Sequence, residues 1–108
     1  MIARVSLVRK LPDLSQAAFR EHWLGPHSDI ARQLPGLRGY VVYTPLADHV
    51  PGCDGIAITW FDTEDAAAAG FSSDALAPLL ARDRPKFLSD AAAFIAAEHV
   101  LLPPPRQA

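Results

Sequence analysis

Four histidines, two tyrosines and one cysteine are the side chains of this chain best suited to moving protons or attacking carbon. His27 stands out among them. It follows Phe19 and Trp23 at helical spacing, so it shares their apolar stripe on a helix that must face a sheet. An imidazole titrates near neutrality with little tuning, and beside a cavity it can act as a general acid or base. The other reading is a core histidine donating to a backbone carbonyl, or a cap at the Gly25-Pro26 interruption. Tyr40 follows the helix closely, where its hydroxyl can come near His27; otherwise it is a half-buried aromatic with a wet tip. His49 lies in the loop after the second strand, at the mouth of any pocket between sheet and first helix, and is carried as a second candidate. His22 precedes Trp23 by one position and is read as solvent-facing. His99 alternates with Glu98 on the last strand, where a contact across a dimer seam is the expectation.

Other chemistries find less support. His22 and His27 are five residues apart, a spacing that does not share one α-helical face, and no HxxxH, HExxH or Cys/His cluster occurs. No metal and no cofactor are therefore expected. The chain has no GxGxxG, no phosphate loop and no nucleophile elbow. Cys53 is a lone loop thiol and cannot form an intrachain disulfide. A formal net charge of −2 with scattered basic residues argues against nucleic acid or an anionic membrane as partner. The apolar runs are too short to cross a bilayer. With one cysteine and no basic-then-apolar leader, a cytoplasmic setting is expected.

The positioning elements follow from pattern. Ile2 to Leu11 alternates as a strand, with Val5, Leu7 and Leu11 on one face and Arg4, Ser6 and Val8 on the other. Asp13 or Ser15 caps a helix over Ser15–Leu34, which Pro26 kinks. Leu37–Thr44 and Gly55–Phe61 read as strands, the second alternating Ile56, Ile58 and Trp60 against Ala57, Thr59 and Phe61. Asp62 or Thr63 caps a helix over Glu64–Phe71, and Ser73 or Asp74 caps another over Ala75–Arg82. Ala91–Leu102 is the last strand. Residues 1–102 form one domain, and residues 103–108 a proline-rich tail.

Strand, helix, strand, strand, helix, strand is the ferredoxin-like α+β plan, βαββαβ, with helices on one face of a four-stranded antiparallel sheet. Both faces of these strands are apolar. The face without helices then needs a cover, and a second copy of the same sheet is the simplest one. The expectation is a homodimer closing an α+β barrel with its helices outside.

The segments FREHWLGPHSDIARQLPGLRGYVVY and CDGIAITWFDTEDAA resemble the EthD family of dimeric α+β-barrel proteins. The shared features are Phe19, Trp23 and His27 on the first helix, Leu34-Pro35-Gly36-Leu37, Tyr40, Asp54-Gly55 and Trp60-Phe61-Asp62. The resemblance spans about Val5 to Leu101. It implies the same fold and dimer, and a ligand cleft between helices and sheet that the Phe19–Trp23–His27 stripe would line. Relatives include polyketide cyclases, cofactor-free monooxygenases and a methylmuconolactone methylisomerase. The last is similar at His27, Tyr40 and His49-Val50-Pro51, but Thr59 stands where it has a cysteine. A shared acid/base pair with a different substrate is the inference.

The expected activity is cofactor-independent acid/base chemistry on a small hydrophobic carbonyl, lactone or polyketide-like compound. His27 would be the acid or base, His49 its partner or a ligand to a substrate carboxylate, and Tyr40 a donor to a developing oxyanion. Phe19, Trp23, Thr59 and Trp60 would wall the pocket. The rival expectations are an EthD-type oxidoreductase, a cofactor-free monooxygenase or accessory protein, and a non-catalytic ligand- or haem-binding module.

Overall fold

A computed structural model describes residues 1–47 and 52–105. Strand β1 (Ile2–Lys10) leads into α1 (Gln16–His22), a π-helical turn (Trp23–His27) and α2 (Ser28–Ala31). Strands β2 (Gly39–Tyr43) and β3 (Gly55–Phe61) follow, then α3 (Glu64–Phe71), α4 (Ala77–Asp83), a 3₁₀ turn (Arg84–Lys86) and β4 (Leu88–Ala97). The four strands form one antiparallel sheet in the order β2-β3-β1-β4. This is the ferredoxin-like α+β fold.

Local chemistry sets the element ends. The Ser15 hydroxyl accepts the Ala18 N–H at 3.0 Å and opens α1, as Thr63 does for Ala66 and α3. Glu64 and Asp65 sit in the first turn of α3, where the helix dipole favours anions. Pro35-Gly36 ends the first helical region, and Gly36 supplies the φ of +78° that this turn requires. Pro85 falls in the tight turn that closes α4.

The interruption at Pro26 takes a specific form. Proline has no N–H to give and its ring crowds the preceding turn. The chain widens one turn, and the Ser28 N–H reaches back to the Trp23 carbonyl, five residues earlier. The Ser28 hydroxyl donates to the same carbonyl at 2.6 Å.

The last strand begins and ends earlier than the sequence suggests. Its alanines are weak strand formers, yet Ala91, Ala92 and Ala93 pair with Val8, Leu7 and Ser6, so tertiary pairing overrides propensity. The pairing stops at Ala97, opposite Ile2, the first residue of β1. Glu98 and His99 therefore lie beyond the sheet; Glu98 accepts the Trp60 indole N–H at 3.1 Å. Ser73 and Asp74 do not cap α4, whose N-cap position is Leu76.

Side chains alternate across the sheet. Arg4, Ser6 and Val8 of β1, Ala57 and Thr59 of β3, and Ala91 and Ala93 of β4 face the helices and border a cavity. Val5, Leu7, Ile56, Ile58 and Phe94 take the other face, which no helix covers. On the helix side, Val8, Phe19, Trp23 and Phe87 form one apolar cluster, and Ala31, Leu34, Leu76 and Leu80 a second. Residues of both clusters meet at the cavity.

Candidate functional site

The cavity has a volume of about 390 Å³, within the range of small-molecule sites. His27, at the end of the π turn, borders it. Its Nδ1–H donates to Asp83 Oδ2 at 2.8 Å. That fixes the tautomer and leaves Nε2, with its lone pair, as the nitrogen free to meet a ligand. Phe87 packs against the imidazole at 4.8 Å between ring centroids.

Asp83 is only 5% exposed. Its carboxylate also accepts from His22 Nε2, at 3.0 and 3.1 Å to its two oxygens, and Lys86 Nζ lies 3.9 Å from Oδ1. His22 is thus turned to Asp83 and only partly exposed, not solvent-facing as its spacing suggested. An α-helix turns ~100° per residue, so positions five apart diverge by about 140°. The wide turn has an i→i+5 repeat, and it brings both imidazoles to one carboxylate.

These contacts set the electrostatics. Burial pushes the His27 imidazole below its ordinary value; the hydrogen bond and charge of Asp83 oppose this only in part, and Arg84 and His22 add to the depression. His27 is therefore a neutral base near pH 7. Burial alone would raise the Asp83 carboxyl, but the bonds and fields of His27 and His22 carry it below the carboxylate norm. Burial raises the Tyr40 phenol, against the bond to Ser28, so it stays protonated.

Tyr40 borders the cavity, with its hydroxyl 3.1 Å from Ser28 Oγ. The single proton of Ser28 is committed to the Trp23 carbonyl, so the Tyr40 O–H is the donor in that pair. Thr59 stands opposite Tyr40 on one side and Arg4 on the other in the strand register, giving a row across the cavity floor. Arg4 Nη1 donates to Ser6 Oγ at 3.0 Å. Arg84 reaches the cavity from the end of α4.

The structure thus brings His27, Tyr40, Trp23 and Thr59 to one cavity. Phe19 is fully buried behind Trp23, with ring centroids 5.3 Å apart, and does not border the space. Trp60 alternates onto the opposite face of the sheet, away from it. His49 lies outside the described residues. Sequence reasoning passed over Asp83, Ser28, Arg4 and Arg84. For Asp83 a signal was present: an acid in the last turn of a helix opposes the dipole and calls for cations nearby. Among the described residues, no cluster of His, Cys, Asp or Glu is arranged to hold a metal ion, and no helix is long and apolar enough to cross a membrane.

Fold and site together define a small ferredoxin-like α+β protein with a histidine–carboxylate pair at a cavity between helices and sheet. The chain belongs to the EthD family, whose domain matches residues 11–91. Among solved structures, it is similar to an ethyl tert-butyl ether D (EthD) family protein from Bacillus halodurans. The TM-score is 0.74 at 20% identity, over 92% of this chain and 100% of that one. A dimeric ferredoxin-like protein of unknown function from Thermobifida fusca gives 0.70 at 21% identity, covering 90% of each chain. SnoaB, a cofactor-independent oxygenase from Streptomyces nogalater, gives 0.70 at 16% identity, over 95% of this chain and 97% of that one. At such identities the likeness establishes a shared fold. No curated protein sequence matches the chain.

Proposed function

We propose that this protein is a small enzyme that abstracts and returns a proton on a hydrophobic carbonyl or lactone compound held in the cavity, without a cofactor. The observation that carries this reading is the His27–Asp83 pair, with Nδ1 held at 2.8 Å and Nε2 left for the ligand. His27 is the base, and Asp83 orients it and stabilises the imidazolium formed on proton transfer. Tyr40 exchanges its bond to Ser28 for one to the substrate oxygen as negative charge develops there. Trp23 and Thr59 contribute to the wall.

The reaction is tested by turnover of a panel of lactones and polyketide-like β-dicarbonyl compounds. His27→Ala is expected to lose ~10²–10⁴ in kcat/KM with an unchanged circular dichroism spectrum. Equal turnover by the two proteins would remove His27 from the mechanism. The same proton abstraction can also precede attack by dioxygen, and the similarity to a cofactor-independent oxygenase supports that second reading. Oxygen uptake with phenolic substrates separates the two.

We further propose a homodimer formed through the helix-free sheet face. It is supported by the exposed Tyr43 and Phe94, at 58% and 54%, and by the dimeric state of the Thermobifida fusca relative.

A further inference from the structure

The cavity floor carries charge that the base chemistry does not use. Arg4 lies on β1, partly buried beneath the helices. Its guanidinium has one bond to the Ser6 hydroxyl and sits 4.1 Å from the centre of the Phe71 ring. Neither partner is an anion. Arg84 borders the same cavity from the 3₁₀ turn after α4. Neither arginine forms an ion pair among the described residues, and the buried acid of the region, Asp83, is shared by His22, His27 and Lys86. A partly buried cation without a counter-charge is costly, and a second cation facing it adds repulsion. Burial and the field of Arg84 both press the Arg4 guanidinium down from its ordinary value.

A second, independent observation lies beside Arg4. Thr59 is opposite it in register, 6% exposed and at the cavity wall, and its Oγ1 has no hydrogen-bond partner among the described residues. Buried hydroxyls are nearly always paired. The neighbouring floor is made of small residues, Ala57, Ala91 and Ala93, which leave room above them, while Leu34 and Leu80 supply apolar walls.

We propose that the ligand of this cavity is a carboxylate on a hydrophobic body, its anionic end held by Arg4 and Arg84 with the Thr59 hydroxyl as a further partner. This rests on the reading of the cavity as the substrate site and narrows the substrate class. The planar guanidinium fork matches a carboxylate with two parallel bonds, and Ser6 and Phe71 hold the Arg4 fork in place. The bound acid neutralises the repulsion between the two arginines. His27, on the helical side of the same cavity, is then left to act on the body of the molecule rather than on its charged end.

The test compares two probes of one shape, 2-naphthoate and 2-naphthamide, binding to the full chain by calorimetry at pH 8, where imidazole is neutral and arginine charged. Wild type is expected to bind the acid ~10-fold or more tightly than the amide, with the difference shrinking as salt rises. Arg4→Met is expected to reduce the preference to about twofold, and Arg84→Ala to weaken the acid several-fold while leaving the amide unchanged. Arg4→Lys, which keeps the charge and loses the fork, should retain part of the preference and guards against a folding defect in Arg4→Met. Equal affinity for the two probes overturns the proposal. So does a preference that survives loss of both arginines, or failure of the acid to bind at millimolar concentration. His27→Ala separates the two readings. If it still prefers the acid while turnover persists, the anion site stands and the base assignment falls. If turnover depends on His27 but no acid preference exists, the reverse holds.

Discussion

Asp83 holds the two imidazoles in one network, and its chemistry makes the clearest prediction for a single side chain. Asp83→Asn keeps the shape but lets the amide offer an N–H to Nδ1, which favours the wrong tautomer of His27. Turnover on any substrate found is expected to drop ~10²-fold or more. The charge that partly offsets burial is lost as well, so the His27 pKa moves further below its ordinary value; NMR titration of its ring proton reads this, and an upward move would contradict the account. Stability follows the same contacts. The Asp83 carboxyl is depressed on folding, so its contribution is complete at neutral pH and is lost as pH falls below about 4. The stability gap between wild type and Asp83→Asn in urea titrations should therefore narrow across that range. His27 was legible in the sequence because a histidine on an apolar stripe is conspicuous in one short window. The place of Asp83 at a helix end hinted at cations nearby, but its partners were not legible, because they lie 56 and 61 positions away and only the fold brings them together.

At the scale of elements, most helices and strands were legible from caps, breakers and alternation: Ser15, Thr63, Pro35-Gly36, and the parity of β1 and β3. Two features were not. The π turn was foreseen as a kink at Pro26, but a kink does not say that the chain will widen, and the widening is what recruits His22. The start of β4 was obscured because alanine carries almost no strand signal of its own. The first helical region also depends on a close approach to the sheet that pattern does not reveal. Gly55, at the start of β3, lies against the six-membered ring of Trp23, and a Cβ there would collide with the indole and approach the Tyr43 carbonyl at 3.1 Å. Gly55→Ala is expected to destabilise the fold by about 1–3 kcal/mol, seen as a lower denaturation midpoint. An unchanged midpoint would mean that Trp23 can move aside, and that the cavity wall it forms is soft.

At the scale of the molecule, the apolar pattern on both faces of the strands already implied a layer beyond the helices. What the pattern could not say was which face holds the cavity, since Arg4 and Ser6 look like solvent-side residues until the helices are placed over them. The helix-free face bears on assembly. Phe94→Glu is expected to convert the protein from twice its 11.7 kDa chain mass to the single-chain mass in light scattering, with the circular dichroism spectrum preserved. A wild type of single-chain mass would dismiss the homodimer. The strand β1 runs through the centre of this arrangement, and its odd and even positions answer to different demands. Ala3, Val5 and Leu7 lie on the helix-free face proposed for the second copy, and Arg4, Ser6 and Val8 lie on the cavity face proposed for the ligand. Point substitutions can consequently drift in one property while the other is held, so ligand preference and assembly are separately heritable along nine residues. An insertion of one residue would exchange the two sets at a stroke and erase both. Over evolutionary time this strand should tolerate many substitutions and almost no change in length.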